Sequence, residues 1–238
     1  MTSEERHIRV PRTARYRVAG DPSSAEEVWF VLHGYRQLAE RFIRRFSALP
    51  GVGGRRAVVA PEALSRFYIE DDGGEHGPDS PVGATWMTRA DREHEIRDYV
   101  EYLDRLAAAV LGPASDPGPP GPEAPSAAPI EAGPRRVVVL GFSQGAATAS
   151  RWVTYGRIRP AELVLWGGGL AADLDMAQAA EALAGVRVRL VTGDEDRWAA
   201  RRAAGSSRRL AGIGLEAERL EYRGGHRVTD EALAVHWP

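Results

Sequence analysis

The sequence predicts an α/β fold built on a doubly wound, mostly parallel sheet, and three observations lead there. Six short apolar runs are spread along the 238 residues, each ending at or just before a Gly, a Pro or a His-Gly pair. Helical patterns lie between them, and strands alternating with helices imply βαβ units. The balance of 43% hydrophobic and 27% charged residues is that of a globular chain long enough to bury a large core.

In chain order, Val28–Leu32 runs into His33-Gly34, Ala57–Ala60 into Pro61, Val137–Leu140 into Gly141 and Leu163–Trp166 into three glycines. Near-continuous, β-branched runs suit strands covered on both faces, which gives three layers. Val186–Thr192 and Leu215–Tyr222 carry interspersed Arg and Glu and are expected nearer an edge. A helix is expected to start near Thr88, where Thr88-Arg89-Ala90-Asp91 reads as a capping box. Ile96, Tyr99, Val100, Leu103, Leu106, Ala107 and Val110 then form one apolar stripe of helical period. Only 19 residues separate Trp166 from Val186, enough for one crossover helix over Asp173–Leu183 and too few for a large cap domain. Residues 1–238 thus read as one domain, with a flexible insertion at 112–134 that holds eight of the sixteen prolines. That insertion runs from a helix into a strand, so it lies at the sheet edge opposite to where ligands bind.

Composition excludes several chemistries. All 31 basic residues are Arg, so no lysine Schiff base can form. No cysteine is present, which removes disulfides, thiolate catalysis and cysteine-bound metals. With 33 acidic residues the formal charge is −2, and no overall field draws the chain to nucleic acid. No apolar run is long enough to span a membrane, and the N-terminus lacks a secretory h-region, so a cytoplasmic location is expected.

The chemistry concentrates at strand ends. Gly141-Phe142-Ser143-Gln144-Gly145 follows the Val137–Leu140 run directly and leads into Ala146-Ala147-Thr148-Ala149. This is the nucleophile elbow of α/β hydrolases in its required strand–turn–helix context, and it nominates Ser143. A serine hydroxyl needs a base. Two histidines follow it: His226, on the loop after the last run, and His236, near the end of the chain, where a base is poorly held. His226 is preferred. The acid comes from Gly193-Asp194-Glu195-Asp196, with Asp196 first and Asp194 second, and spacing alone does not decide between them. His33-Gly34-Tyr35 supplies the usual second oxyanion loop, so the backbone N–H groups of Tyr35 and Gln144 are the expected donors, each contributing roughly 10²–10³ in rate. His33 itself is expected to pack beneath that hole.

These residues resemble the carboxylesterase and phospholipase-like esterases, whose relatives include acyl-protein thioesterases. The likeness rests on LHGYRQLAERF, GFSQG, LWGGGL, TGDEDRW, YRGGH and the stretch ATWMTRADREHEIRDYVEYLDRL at 84–106. It covers nearly the whole chain apart from the N-terminal arm and the Pro-rich loop. The resemblance implies the α/β-hydrolase fold, hydrolysis of carboxylic esters or thioesters with no metal and no cofactor, and the second Asp of G-D-x-D, Asp196, as the acid. Two departures bear on substrate: Arg197-Trp198-Ala199 after the acid, and Tyr35-Arg36-Gln37 after His33-Gly34.

The expected partner is a small-molecule ester with a short acyl or an aryl group. Segment 63–87 would wall the pocket through Phe67, Trp86 and Met87, unless these residues only pack a loop. An acyltransferase on the same three residues, an inactive hydrolase-like binding protein, and docking of a partner through the Pro-rich loop are the competing readings. Oligomeric state is not legible.

Overall fold

The computed structural model describes residues 2–69, 77–112, 128–130 and 132–238. Seven strands form one sheet: β1 (Tyr16–Ala19), β2 (Glu27–Leu32), β3 (Arg56–Pro61), β6 (Arg136–Phe142), β7 (Glu162–Trp166), β8 (Arg187–Gly193) and β9 (Ala217–Tyr222). Their order is β1-β3-β2-β6-β7-β8-β9. Every pairing is parallel except β1 with β3. The six apolar runs are β2, β3 and β6–β9. As their mixed composition implies, β9 is an edge strand and β8 its neighbour. Two features were not foreseen, namely the antiparallel edge strand β1 and a separate hairpin of β4 (Ser65–Tyr68) with β5 (Val82–Thr85).

Successive residues of a strand face opposite sides, and β2 divides its side chains accordingly. Val28, Phe30 and Leu32 join one core, while Trp29 and Val31 join the other. The first core is covered by α2 (Arg92–Leu111), α3 (Gln144–Tyr155), α4 (Met176–Ala182) and α5 (Arg197–Ala211). The second is covered by α1 (Ala39–Ile43), a 3₁₀ turn over Arg44–Phe46, and α6 (Asp230–His236). The result is a three-layer α/β sandwich. The connection from β7 to β8 holds α4 alone, capped by Asp175, whose side chain accepts from the N–H groups of Ala177 and Gln178.

The α2 stripe is buried as its period requires, with Val110 half-buried. The helix begins at Arg92, after the expected start. Thr88 is not its N-cap. Instead the Thr88 N–H donates to Glu95 Oε2 at 2.5 Å, one turn inside the helix, and Asp91 occupies the cap position with φ 49°. Of the Pro-rich insertion, residues 113–127 and 131 lie outside the described residues. Among the described residues no helix is long and apolar enough to cross a membrane.

At the N-terminal ends of the strands an ion network crosses the sheet. Glu27 pairs with Arg56 and Arg136, and Arg136 also pairs with Glu162. Arg189 meets both Glu162 and Glu218. The indole N–H of Trp29 donates to Glu27 at 2.6 Å and that of Trp237 to Glu162 at 2.8 Å. Glu27 and Glu162 are buried, so the added donors offset the desolvation that a bare ion pair would suffer.

Candidate active site

The sheet brings four loops together at the opposite ends of its strands, where ligands bind in open α/β sheets. They follow β2, β6, β8 and β9. Ser143 sits between β6 and α3 with φ 57° and ψ −115°, a strained conformation for a residue with a Cβ. Its N–H donates to the Trp166 carbonyl at 2.9 Å, which pins the turn to β7. The flanking glycines make the turn possible. A Cβ on Gly141 would lie 2.1 Å from the Gly145 carbonyl oxygen, and one on Gly145 would lie 2.3 Å from that of Leu32.

His226, on the loop after β9, places Nε2 2.9 Å from Ser143 Oγ. Its Nδ1 meets Asp196 Oδ2 in a short contact. Asp196 is buried and uses both oxygens, because Oδ1 accepts from the Ala199 N–H at 2.9 Å and caps α5. Asp194 is turned elsewhere, with its carboxylate accepting from the Gly224 N–H at 2.7 Å. Phe142 packs against the imidazole with centroids 4.9 Å apart, and Trp198 stands edge-on to it at 5.7 Å. Trp198 is about half exposed and carries the Arg202 guanidinium over its ring at 5.2 Å. The sequence marked Trp198 only as a departure after the acid; α5, which presents it, went unread.

The loop after β2 lies against the elbow. A Cβ on Gly34 would come within 3.2 Å of the Ser143 Cβ. Among the described residues, neither the Tyr35 N–H nor the Gln144 N–H donates to a protein acceptor. Underneath, His33 is fully buried. Its Nδ1 lies 2.8 Å from the Gly34 carbonyl and its Nε2 accepts from the Ala63 N–H at 3.1 Å. Burial pushes this imidazole down to about 4, against the raising effects of the Gly34 hydrogen bond and the Glu62 charge. It is therefore neutral near pH 7, with its proton on Nδ1.

The three expected pocket residues take different positions. Phe67 is half-buried and stacks on the exposed Tyr35 ring at 5.4 Å. Met87 is half-buried, with its sulfur 3.6 Å from Arg151 Nη1. Trp86 is buried, packs against the His33 ring in a tilted arrangement with centroids 5.1 Å apart, and donates its indole N–H to the His33 carbonyl at 2.8 Å.

Two other features lie apart from these loops. A cleft of about 1000 Å³ runs between α2 and the end of α3, lined by residues including Arg97, Arg105, Thr154 and Arg157, and includes none of the residues around Ser143. His7, Asp91 and His94 hold donor atoms within 4.8 Å of one another and could ligate a metal, but they belong to the N-terminal arm and the start of α2.

Comparison with known proteins adds the family. No curated protein sequence matches the chain. Among solved structures it is similar to a carboxylesterase from Mesorhizobium loti, with TM-score 0.63 and 17% identity over 93% of this chain and 91% of that one. It is similar also to a phospholipase/carboxylesterase from Dyadobacter fermentans, with TM-score 0.60 and 16% identity over 96% and 97%. A third is Zea mays acyl-protein thioesterase 2, with TM-score 0.58 and 16% identity over 93% and 95%. At such identities these likenesses show the α/β-hydrolase fold. The profile described as Serine hydrolase (FSH1) matches residues 26–236, and the chain belongs to that family.

Proposed function

We propose that this protein hydrolyses carboxylic esters through an acyl-enzyme on Ser143, with His226 as general base and Asp196 as its orienting acid. The observation that carries the reading is the hydrogen-bonded line from Asp196 through His226 to Ser143 Oγ. Donation of Nδ1–H to Asp196 leaves the Nε2 lone pair facing the serine hydroxyl, which is the tautomer a base requires. Ser143 Oγ attacks the carbonyl carbon and its proton passes to Nε2. The negative oxygen accepts hydrogen bonds from the Tyr35 and Gln144 N–H groups. As the tetrahedral intermediate collapses, Nε2–H protonates the departing alkoxide. Water then attacks the acyl-enzyme, giving a proton to His226 Nε2, and as that second intermediate collapses Nε2–H returns the proton to Ser143 Oγ and the carboxylic acid leaves.

The aromatic rings on the loops that meet at Ser143, Tyr35 stacked on Phe67 and Trp198 edge-on to His226, favour a short acyl or aryl group in an open site. Thioesters fit the same three residues, and a solved structure of similar fold is an acyl-protein thioesterase. Matched oxygen and sulfur esters of one acyl group would rank the two.

The test of the chemistry is covalent labelling by a fluorophosphonate, followed by hydrolysis of p-nitrophenyl acetate. Wild type is expected to label and turn over. Ser143→Ala is expected to lose the label and to lower kcat by roughly 10⁴–10⁶. A folded wild type that neither labels nor hydrolyses would overturn the reading.

A further inference from the structure

Tyr35 and Gln144 sit on different loops, after β2 and after β6. The sheet sets the spacing of those strands but not the direction in which either amide points. We infer that the end of β5, clasped by the Gln144 side chain, is the brace that holds the two amides aimed at one oxygen. This rests on the proposed oxyanion role of those amides and adds the device that positions them.

Gln144 is the first residue of α3, and the N-cap position is held by Ser143. The Gln144 side chain turns to β5. Its Nε2 donates to Thr85 Oγ1 at 2.8 Å and to the Met87 carbonyl at 3.0 Å, and its Oε1 accepts from the Trp86 N–H at 3.2 Å. Both amide hydrogens and the amide oxygen are thus engaged by three consecutive residues. Thr85 Oγ1 passes its own hydrogen to the Met87 carbonyl at 2.9 Å, which tightens that turn. The same strand end holds the other loop. The Arg36 N–H donates to the Ala84 carbonyl at 3.0 Å and the Ala84 N–H to the Gln37 carbonyl at 3.3 Å. Trp86 reaches beneath to the His33 carbonyl through its indole N–H. The approach of β5 to this loop is close enough that a Cβ on Gly83 would stand 2.7 Å from the Arg36 carbonyl oxygen.

Residues 84–87 are therefore hydrogen-bonded to both donor loops at once, and Thr85 and Trp86 are buried where they do so. Fixed donors need no reorganisation as charge develops, which is where an oxyanion hole gains its advantage. Gln144 and Thr85 act here as positioning residues, since neither side chain has to touch substrate.

The test replaces the side chain while keeping the backbone amide. Gln144→Ala and Thr85→Val are compared with Thr85→Ser, which retains the hydroxyl. Three readings are taken: kcat and KM for p-nitrophenyl acetate, the inhibition constant of a trifluoromethyl ketone that adds to Ser143 as an oxyanion, and melting temperature. For Gln144→Ala and Thr85→Val, kcat is expected to fall about ten- to hundredfold, as small misplacements do, with KM changed less than about threefold. Ketone affinity should fall by a similar factor, and Thr85→Ser should restore both. Unchanged kcat and ketone affinity with a lowered melting temperature would reduce the clasp to packing and overturn the inference. A wild type that fails to label with fluorophosphonate would remove the Ser143 reading and the brace with it, whereas a labelling wild type with an indifferent Gln144→Ala removes the brace alone.

Discussion

Asp196 and Asp194 are two residues apart, yet their surroundings give them different work. Asp196 faces His226 from a buried position and caps α5, whereas Asp194 ties down the loop ahead of His226 through the Gly224 N–H. Asp196→Asn is expected to lower kcat by about 10⁴, because an amide favours the wrong imidazole tautomer. Asp194→Asn keeps an acceptor oxygen for Gly224 and should cost less than about tenfold. Initial rates on one ester compare the two directly; equal losses would contradict the assignment. His33 makes a different prediction. Its folded pKa, about 4, lies below the 6.5 of an exposed imidazole. Between those values the unfolded chain binds a proton that the folded chain refuses, so stability rises with pH and is lost on acidification from 6.5 towards 4. The loss is on the order of 3 kcal/mol, and urea midpoints across that range should show a shallower slope in His33→Gln.

At the scale of elements, the elbow illustrates what a sequence conveys well. G-x-S-x-G is a statement about sterics, and the 2.1 and 2.3 Å approaches at Gly141 and Gly145 are its physical content. Because both approaches are to backbone, Gly145→Ala is expected to destabilise by roughly 4 kcal/mol, at the large end for one substitution. A thermal melt within a degree or two of wild type would refute that. The strands β2, β3, β6 and β7 were legible because burial on both faces leaves no room for polar alternation, and β8 and β9 because their mixed runs still end at or just before glycines. Other elements hid for identifiable reasons. The strands β4 and β5 are separated by residues 69–81, so no tight-turn signature joins them. The edge strand β1 is four residues long and mostly exposed. Helix α5 buries Ala199, Ala203, Ser206 and Leu210, a helical stripe in which Leu210 alone is a large apolar residue. Thr88 resembled a cap, but its partner lies in the following turn. While spacing alone left Asp196 and Asp194 undivided, Ser143, His226 and the acidic loop after β8 were legible as positions at the candidate site because they follow strands. The aromatic neighbours and the Gln144 clasp were not, since they depend on which side chains meet across elements.

For the whole molecule, the ion network lies at one end of the sheet and the loops that bring Ser143, His226 and Asp196 together lie at the other. Burial raises the Glu27 carboxyl, but hydrogen bonds from Trp29 and Arg136 and the charges of Arg136 and Arg56 leave it below the usual range. Asp173 is likewise raised by burial and drawn down to about 2 by Arg151 and Arg92. Carboxylates depressed in this way stabilise the fold above about pH 4 and lose that contribution as pH falls towards 2. Acid unfolding should therefore continue in that window after the His33 contribution is spent. Glu162 is buried between the half-buried Arg136 and the buried Arg189, and its removal leaves those two like charges without it, so Glu162→Ala is expected to cost roughly 3 kcal/mol in denaturant unfolding. Its kcat on the same ester should stay within about twofold, as the change is remote from Ser143. The separation of the two ends has a consequence for how such a protein can be altered. A library confined to the Glu27, Arg136, Glu162 and Arg189 codons can be selected for heat tolerance while every loop residue around Ser143 keeps its identity.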